Sequence, residues 1–234
     1  MSFEEELSQI FSKYSISLSS EQAKQFSKYY SFLVEYNQNV NLTSITEQRD
    51  VIVKHFLDSV LSCNLLKQNA KVIDIGCGAG FPSVPLKILR PDIQLVLVDS
   101  VQKKLEFINR LIDMLGLKNI STIHSRAEDL AYNPNYREKF DVVVARAVAR
   151  LNVLNEYCLP FLKVGGQFIA YKASDYLDEI KESNNSFNIL GGKYNTSLPF
   201  EIEGNQRFLV VIDKVSSTPN KYPRGKNKPR VSPL

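Results

Sequence analysis

The chain has 234 residues, of which 44% are hydrophobic and 23% charged, as is typical of a globular protein. This length favours one α/β domain with a small appended segment over two full domains. The three cysteines, Cys63, Cys77 and Cys158, lack metal-ligand spacing, so we expect free thiols in a reducing, cytoplasmic compartment and no metal site. The acidic N-terminus and the lack of a long apolar run argue against a signal peptide and a membrane span.

The basic residues are concentrated at the C-terminal end. The net charge is +4, yet residues 218–234 hold no acidic residue and five basic ones, namely Lys221, Arg224, Lys226, Lys228 and Arg230. A basic, proline-containing tail on a nearly neutral body indicates contact with a polyanion. A disordered, solubilising tail is the alternative, and charge alone does not separate the two.

The first 66 residues predict three helices. Residues 3–14 carry apolar side chains at helical spacing, and a second helix begins near Ser19, whose hydroxyl is placed to form a capping box with Gln22. A polar loop over 37–45 precedes a third helix over about 48–63. We expect this helical extension to pack on the core, over the ligand site.

The two histidines are interpreted as structural. His55 lies in the third predicted helix, where a hydrogen bond to the backbone or to Asp58 is favoured over a role as general base. His124 ends a predicted strand and is expected to be structural or exposed.

From residue 71 onward the pattern alternates between strand and helix. The predicted strands are 71–75, 93–98, 120–124, 140–145 and 166–171, and between them lie helices at 82–90, 101–115 and 150–162 and a short turn at 126–131. Two further strands, near 194–198 and 207–212, are expected to form an antiparallel hairpin. This order predicts a mostly parallel, seven-stranded α/β sheet with helices on both faces.

The stretch 74–81, DIGCGAGF, links the first predicted strand to the next helix. Its three glycines let a ligand approach the backbone, and the helix N-terminus offers free N–H groups. Asp99 ends the next strand about 20 residues later, where a carboxylate can accept hydrogen bonds from both ribose hydroxyls. An adenosine-containing ligand is therefore predicted.

Phe81 helps to choose among adenosine ligands. The dinucleotide turn G-x-G-x-x-G needs its third glycine at this position, which disfavours a nicotinamide-dependent dehydrogenase. The pattern D-x-G-x-G-x-G that starts at Asp74 instead resembles motif I of Rossmann-like class I methyltransferases. That resemblance implies S-adenosyl-L-methionine as the methyl donor.

Ligands of open parallel sheets bind beyond the carboxyl ends of the strands. The candidates there are Gly76, Gly78, Phe81, Asp99, Ser100, Val101, Ala127, Glu128, Arg146 and Lys172. Ala127 and Glu128 are placed to hold an adenine, although Glu128 also suits the dipole of the following helix. Arg146 directly follows an apolar strand, so we favour a contact with the donor's carboxylate or with substrate phosphate over a surface salt bridge.

The sequence also limits the methyl acceptor. The stretch 133–136, NPNY, resembles a motif of enzymes that methylate exocyclic amines, but it precedes the fourth strand instead of following it, so we interpret it as a turn. No cysteine stands at the exits of strands four and five, as methylation at C5 requires. An acceptor with a free lone pair remains, and guanine N7 is such a nucleophile.

Motifs along most of the chain resemble the bacterial small-subunit ribosomal RNA guanine-N7 methyltransferases, the glucose-inhibited division protein B family. They are NLT at 41–43, HFLDS at 55–59, IDIGCGAGFP at 73–82, VDS at 98–100, SRAE at 125–128, RA at 146–147 and GG at 165–166. The resemblance implies methyl transfer to N7 of a guanine in the decoding-region loop of 16S ribosomal RNA, within the small ribosomal subunit.

The resemblance also implies residue roles. Gly76 and Phe81 would line the donor site, Asp99 and its neighbours would hold the ribose, and Arg146 would contact the donor's head or the reacting centre as the catalytic residue. RNA contacts are expected from Lys172 and from the basic residues of the tail.

We divide the chain into a helical extension (1–66), a donor-binding core (67–217) and a basic tail (218–234), and we expect a monomer. Two alternatives stay open at this point. One is a class I methyltransferase acting on another RNA, a protein or a small molecule, and the other is a ribosome assembly factor without catalytic activity.

Overall fold

A seven-stranded sheet forms the centre of the computed structural model, which describes residues 1–234. The strands are β1 Lys71–Ile75, β2 Gln94–Asp99, β3 Ile120–His124, β4 Phe140–Arg146, β5 Leu162–Lys172, β6 Gly192–Ile202 and β7 Asn205–Lys214. Their order is β3-β2-β1-β4-β5-β7-β6, and only β7 runs antiparallel to its two neighbours. The predicted α/β class and the C-terminal hairpin are confirmed.

The strand order reverses direction between β1 and β4. The connections after these two neighbours leave to opposite sides, which opens a crevice beyond their carboxyl ends. The residues predicted to bind ligand come from those ends, so the topology alone brings most of them to one edge of the sheet.

Helices cover both faces of the sheet. Those of the core are α5 Ser83–Leu89, α6 Gln102–Leu115, α7 Ala127–Leu130, α8 Leu151–Cys158, α9 Tyr176–Glu182, α10 Asn184–Leu190 and α11 Lys228–Val231. Alternate residues of a strand face opposite sides: Val142 and Val144 join the cluster that holds α5 and α6, whereas Val143 joins the cluster that holds α8 and α10.

The N-terminal helices pack on the α5–α6 side. Helix α1 spans Phe3–Lys13 and α2 spans Ser20–Asn37, and the predicted capping box between Ser19 and Gln22 is present. Apolar side chains of both helices belong to the same buried cluster as the sheet. The extension therefore shares its core with the rest of the protein.

The third predicted helix is irregular. It comprises α3 Gln48–Asp50, a π-helical stretch Val51–Leu57 and α4 Asp58–Val60, and so ends three residues earlier than predicted. A π-helical turn adds a residue per turn and is frequent at functional sites. Here it carries His55 towards the edge of the sheet that holds the crevice.

Helices α9 and α10 were not predicted, because residues 182–186 are polar. Their hydroxyl groups are buried and bonded within the fold: Ser183 donates to the Glu179 carbonyl at 2.7 Å, and Asn155 donates to the Ser186 hydroxyl at 2.9 Å. Helix α8 is also shorter than predicted, because one 3₁₀ turn, Leu159–Phe161, follows it and β5 begins at Leu162.

Of the two interpretations left open for residues 218–234, the disordered, solubilising tail does not describe the structure, and contact with a polyanion stays a prediction. Arg137 donates to the carbonyl oxygens of Thr218 and Tyr222 at 2.8 and 3.0 Å, and the Tyr132 hydroxyl donates to the Pro223 carbonyl at 2.6 Å. Thr218 and Tyr222 are buried. The segment folds back over the α8 side of the sheet and ends near the crevice.

No helix has both the length and the apolar character needed to cross a membrane.

Candidate active site

The crevice beyond β1, β2 and β3 holds a cleft of about 590 Å³. Of the predicted ligand residues it is lined by Gly76, Asp99, Ser100, Val101, Ala127 and Glu128, and it is completed by Ile75, Val98, Lys104, Ser125, Arg126, Ala147, Val148, Tyr157, Asn227 and Arg230. We call this space the donor cleft. Its size suits a nucleoside-sized ligand.

Asp99 fixes the floor of the donor cleft. One carboxylate oxygen accepts from the Gly78 amide at 3.0 Å and the other from the Val101 amide at 2.9 Å. These bonds tie the glycine turn to the start of α6. Each oxygen keeps a further lone pair, so the carboxylate remains able to accept hydrogen bonds from ribose hydroxyls.

Gly76 is required by its surroundings. Its φ is +76°, and a Cβ there would lie 2.7 Å from a methyl carbon of Val148. A side chain would therefore strain the backbone and displace the loop after β4. Gly78 also has a positive φ, +57°, but a Cβ there would meet nothing within 4 Å.

Glu128 lies at the far end of the donor cleft. Its carboxylate is 5% exposed and is 3.2 Å from the Arg126 guanidinium. A buried carboxylate beside backbone groups of the first turn of α7 can accept from an exocyclic amine. The geometry is compatible with the predicted adenine position.

Four predicted donor residues, Asp74, Gly78, Phe81 and Arg146, do not line the donor cleft. Gly78 acts through its bond to Asp99. The Asp74 side chain is fully buried, and neither of its carboxylate oxygens has a hydrogen-bond partner. Burial raises the pKa of Asp74 to about 8. Its place is beneath the glycine turn, because alternation along β1 turns its side chain into the protein.

Arg146 points into a second cavity of about 430 Å³. Its lining includes Lys54, His55, Asp58, Tyr171, Lys172, Arg207 and Phe208, and Ala147 lines this cavity and the donor cleft alike. We call it the second cavity. The predicted contact of Arg146 with the donor's head or the reacting centre stays a prediction: its side chain lines this cavity and not the donor cleft, and the neighbouring Ala147 borders both.

Three of the five N–H groups of the Arg146 guanidinium donate hydrogen bonds within the protein. It donates to the Lys54 carbonyl at 3.0 Å, to Asp58 Oδ2 at 2.6 Å and to His55 Nδ1 at 3.2 Å. Its central carbon lies 5.1 Å from the centroid of the Phe81 ring, within range of a cation–π contact. Only 13% of the side chain is exposed, so this is no ordinary surface salt bridge.

His55 is also part of this site. Its ring stacks on Phe81 with centroids 4.5 Å apart, and its Nε2 lies 2.8 Å from the Thr43 hydroxyl. Because an arginine can only donate, Nδ1 accepts and Nε2 carries the proton. Burial and the nearby Arg146 charge lower the pKa of His55 to about 3. Its side-chain partners are Thr43 and Arg146, not the expected Asp58.

Two predicted RNA-binding residues are engaged within the protein. Lys172 donates to Glu179 at 2.6 Å and to the Ala149 carbonyl at 2.9 Å and is 8% exposed. Arg224 pairs with the fully buried Glu156 at 2.7 Å. Both side chains are engaged within the fold in this structure, and their predicted contacts with RNA stay a prediction. Lys221, Lys226 and Lys228 are exposed.

Sequence reasoning missed Thr43, Asp58, Arg207 and Phe208 as residues at or beside the second cavity. Thr43 and Asp58 lie in motifs already noted, NLT and HFLDS, so a signal was present. Arg207 and Phe208 lie at the start of β7, and strand periodicity gives no indication that they face a cavity. No group of three or more His, Cys, Asp or Glu side chains could hold a metal ion.

The family model described as rRNA small subunit methyltransferase G, GidB, matches residues 22–209. A relative of that name from Lactobacillus delbrueckii subsp. bulgaricus is 46% identical over 229 residues, which cover 95% of this chain and 96% of the relative. The chain belongs to this family. Another member, from Acetivibrio thermocellus, is 46% identical and covers 95% of this chain and 93% of its own. Membership confirms the resemblance and excludes the dehydrogenase alternative.

Solved structures agree on the fold. M. jannaschii TYW2 in complex with AdoMet has a TM-score of 0.56 at 16% identity and covers 74% of this chain and 80% of its own. An rRNA methylase from Streptococcus thermophilus has a TM-score of 0.50 at 18% identity, with 68% and 95% covered. At such identities these structures support the fold alone.

Proposed function

We propose that the protein transfers the methyl group of S-adenosyl-L-methionine to N7 of a guanine in the decoding-region loop of 16S ribosomal RNA, in the context of the small subunit. One observation carries the proposal: the donor cleft and the second cavity meet at Ala147. A donor in one and a base in the other would bring their reacting atoms to the same short segment after β4.

The donor would bind by its adenosine. Asp99 would accept from the ribose hydroxyls, and Glu128 with the backbone of Ala127 would hold the adenine edge. The methyl-bearing end would then lie towards Ala147, away from Asp99. Gly76 leaves the backbone open along this path.

The guanine would enter the second cavity from a splayed RNA loop, since a base inside a stacked helix cannot reach a cavity of this depth. The Phe208 ring stacks on Tyr176 with centroids 4.1 Å apart, and an incoming base would extend this aromatic stack. Arg207 lies beside it and is paired with Asp58 at 3.4 Å. Lys54 is half-exposed at the rim. The charge of these side chains would favour approach of the RNA backbone.

The reaction needs no general base. The N7 lone pair attacks the methyl carbon, the carbon–sulfur bond breaks, and its electron pair returns to sulfur. The products are S-adenosylhomocysteine and a cationic 7-methylguanine. His55 fits such a reaction, because Nδ1 and Nε2 are both occupied by hydrogen bonds. Positioning of the two reactants would supply most of the rate.

The test is methyl transfer from labelled S-adenosylmethionine to small subunits from a strain that lacks this gene, followed by borohydride–aniline cleavage at 7-methylguanine. We expect a single new cleavage in the decoding-region loop. Label without cleavage would overturn the N7 assignment. No incorporation into subunits by a protein that binds the donor would favour the assembly-factor alternative or a different substrate.

A further inference from the structure

The loop after β4, residues 147–150, lies between the donor cleft and the second cavity, and we call it the β4 loop. Ala147 lines both spaces, Val148 lines the donor cleft and Ala149 lines the second cavity. Ala147 has a positive φ of +56°. A residue with a Cβ keeps such a backbone only where its surroundings impose it, so contacts along the rest of the loop must hold it in place.

Two buried side chains hold the end of the β4 loop that leads into α8. Lys172, at the end of β5, donates to the Ala149 carbonyl at 2.9 Å, and Glu179 of α9 accepts from the Leu151 amide at 2.5 Å. Lys172 and Glu179 also pair with each other at 2.6 Å, and their side chains are 8% and 6% exposed. Because charges this deeply buried need each other, the pair and the loop backbone share one fixed geometry.

Glu179 also supplies the cap that α8 otherwise lacks. Arg150, the N-cap residue, makes no side-chain capping bond, and the Leu151 amide is one of the donors that a helix leaves without an internal partner. A carboxylate there satisfies the amide and suits the positive end of the helix dipole. The direction in which the chain leaves the β4 loop therefore depends on Glu179.

The middle of the β4 loop is held from the other side. The Val148 side chain occupies the space that a Cβ at Gly76 would need. Its carbonyl accepts from Arg230 at 3.3 Å, which belongs to the C-terminal segment, residues 218–231. Arg230 is exposed, so water competes for this bond. The buried pair at the α8 end is shielded from water and is the stronger of the two ties.

We propose that Glu179 is a positioning residue for methyl transfer: together with Lys172 it fixes the loop at which the donor's methyl group and the acceptor base meet. The inference rests on the proposed function, because it takes the two reactants to meet at Ala147. Glu179 acts through the backbone that it holds, without a bond to either reactant. A reaction that relies on positioning is sensitive to such a residue, since a displacement of about 1 Å can cost on the order of 100-fold in rate.

The test compares Glu179→Gln with the unaltered full-length protein in methyl transfer to small subunits. We expect the rate at saturating donor and subunits to fall at least about tenfold, because Lys172 loses its partner and the β4 loop is released. The affinity for S-adenosylmethionine, measured by calorimetry, should be nearly unchanged, since the residues predicted to hold the adenosine lie at the exits of β2 and β3. The KM for subunits should also be nearly unchanged.

Glu182→Gln is the matched control. Glu182 lies in the same helix and pairs with Arg150 at 2.9 Å, but these side chains are 47% and 50% exposed. An exposed ion pair contributes little, so this variant should keep the rate, the KM and the donor affinity of the unaltered protein.

A double variant separates positioning from folding. Adding Lys172→Met to Glu179→Gln removes the unpaired buried charge, so the stability measured by urea unfolding should recover. The rate should stay low, because no side chain then holds the Ala149 carbonyl. This double variant carries the test if Glu179→Gln alone does not fold.

Three results would overturn the inference. An unchanged rate in Glu179→Gln would mean that the β4 loop does not need the pair. A rise in KM alone would make the pair a contact for RNA, and a rate that recovers together with stability in the double variant would make it a purely structural bond. If the unaltered protein methylated no subunits, the proposed function itself would fail, whatever the variants did.

Discussion

The Arg146 guanidinium joins the end of β4 to the third N-terminal helix through Asp58, His55 and the Lys54 carbonyl. All of these partners lie in or beside the second cavity, and none lines the donor cleft. Changes at this residue should therefore separate donor binding from methyl transfer, which a cation in the donor cleft could not do.

For Arg146→Ala we expect methyl transfer to fall by more than about 100-fold, as when one preorganised donor is removed from an active site. The affinity for S-adenosylmethionine should stay within about threefold of the unaltered protein. Calorimetry and label incorporation into small subunits measure the two quantities. Arg146→Lys keeps the charge but cannot bridge Asp58 and His55 together, and should recover only part of the rate. A parallel loss of donor affinity would contradict this placement.

Asp74 gives a prediction about pH. Its pKa in the folded protein is raised to about 8 by burial, so the folded state holds a proton that the unfolded state releases near pH 4. Folding stability should therefore fall as pH rises between about 4 and 8. Asp74→Asn removes the charge, and at pH 8.5 the variant should exceed the unaltered protein in free energy of unfolding by several kcal/mol, since each unit of pKa shift is worth about 1.4 kcal/mol.

Urea unfolding at pH 5 and pH 8.5 measures this difference. The exposed residue Asp178 provides the control, because Asp178→Asn should change the free energy of unfolding by the same small amount at both pH values. If the advantage of Asp74→Asn were the same at pH 5 as at pH 8.5, Asp74 would not be the titrating group.

At the scale of elements, the glycine turn connects β1, α6 and the loop after β4. Gly78 donates to Asp99 at the end of β2, while Gly76 makes room for Val148. The turn thus positions the Asp99 carboxylate, which is predicted to hold the ribose. It also positions Val148, which forms the side of the cleft next to the C-terminal segment. A change of one residue in it should disturb the donor cleft more than the stability of the fold.

Gly76→Ala should weaken S-adenosylmethionine binding by at least about tenfold, because the new Cβ adds a collision with Val148 to the cost of a positive φ. Gly204→Ala is the matched control: its φ is +77°, against +76° at Gly76, and a Cβ there meets nothing within 4 Å. The positive φ should cost both variants about 1–2 kcal/mol of stability, and Gly76→Ala should lose more because of the collision. Equal donor affinity in the two would show that the turn does not border the donor.

At the scale of the molecule, both ends of the chain complete the site. The N-terminal helices bring Thr43, His55 and Asp58 to the second cavity, and the C-terminal segment brings Arg230 to the donor cleft. The sheet supplies the floor between them. Loss of either end should therefore affect the whole fold as well as the site it borders.

Arg224→Ala should lose about 3–5 kcal/mol of stability, because Glu156 would stay buried without its guanidinium partner. Thermal and urea unfolding of the variant and of the unaltered protein measure the loss. Adding Glu156→Gln to Arg224→Ala removes the unpaired charge and should restore a large part of it. An Arg224→Ala variant as stable as the unaltered protein would mean that the Glu156–Arg224 pair does not anchor the segment.

The elements of the sheet could be predicted closely from sequence. Strands β1 and β3 lie where the apolar runs indicate, and the glycine turn and Asp99 stand at the expected strand exits. These features depend on local regularities: period-two burial, capping groups and residues that permit a positive φ. Helices α9 and α10 were not predicted, because the residues that carry their buried hydroxyl groups are polar in the sequence.

By itself the sequence determined the fold class, the family and the residues at the strand exits that line the donor cleft, since short motifs and their spacing carry that information. Only the tertiary structure decided that Arg146 faces the second cavity, that His55 is neutral beside it and that the C-terminal segment folds back onto Glu156. Those arrangements rest on contacts between residues 91, 88 and 68 positions apart. Which partner a charged side chain finds across such distances depends on the packing of whole elements, and no local pattern records it.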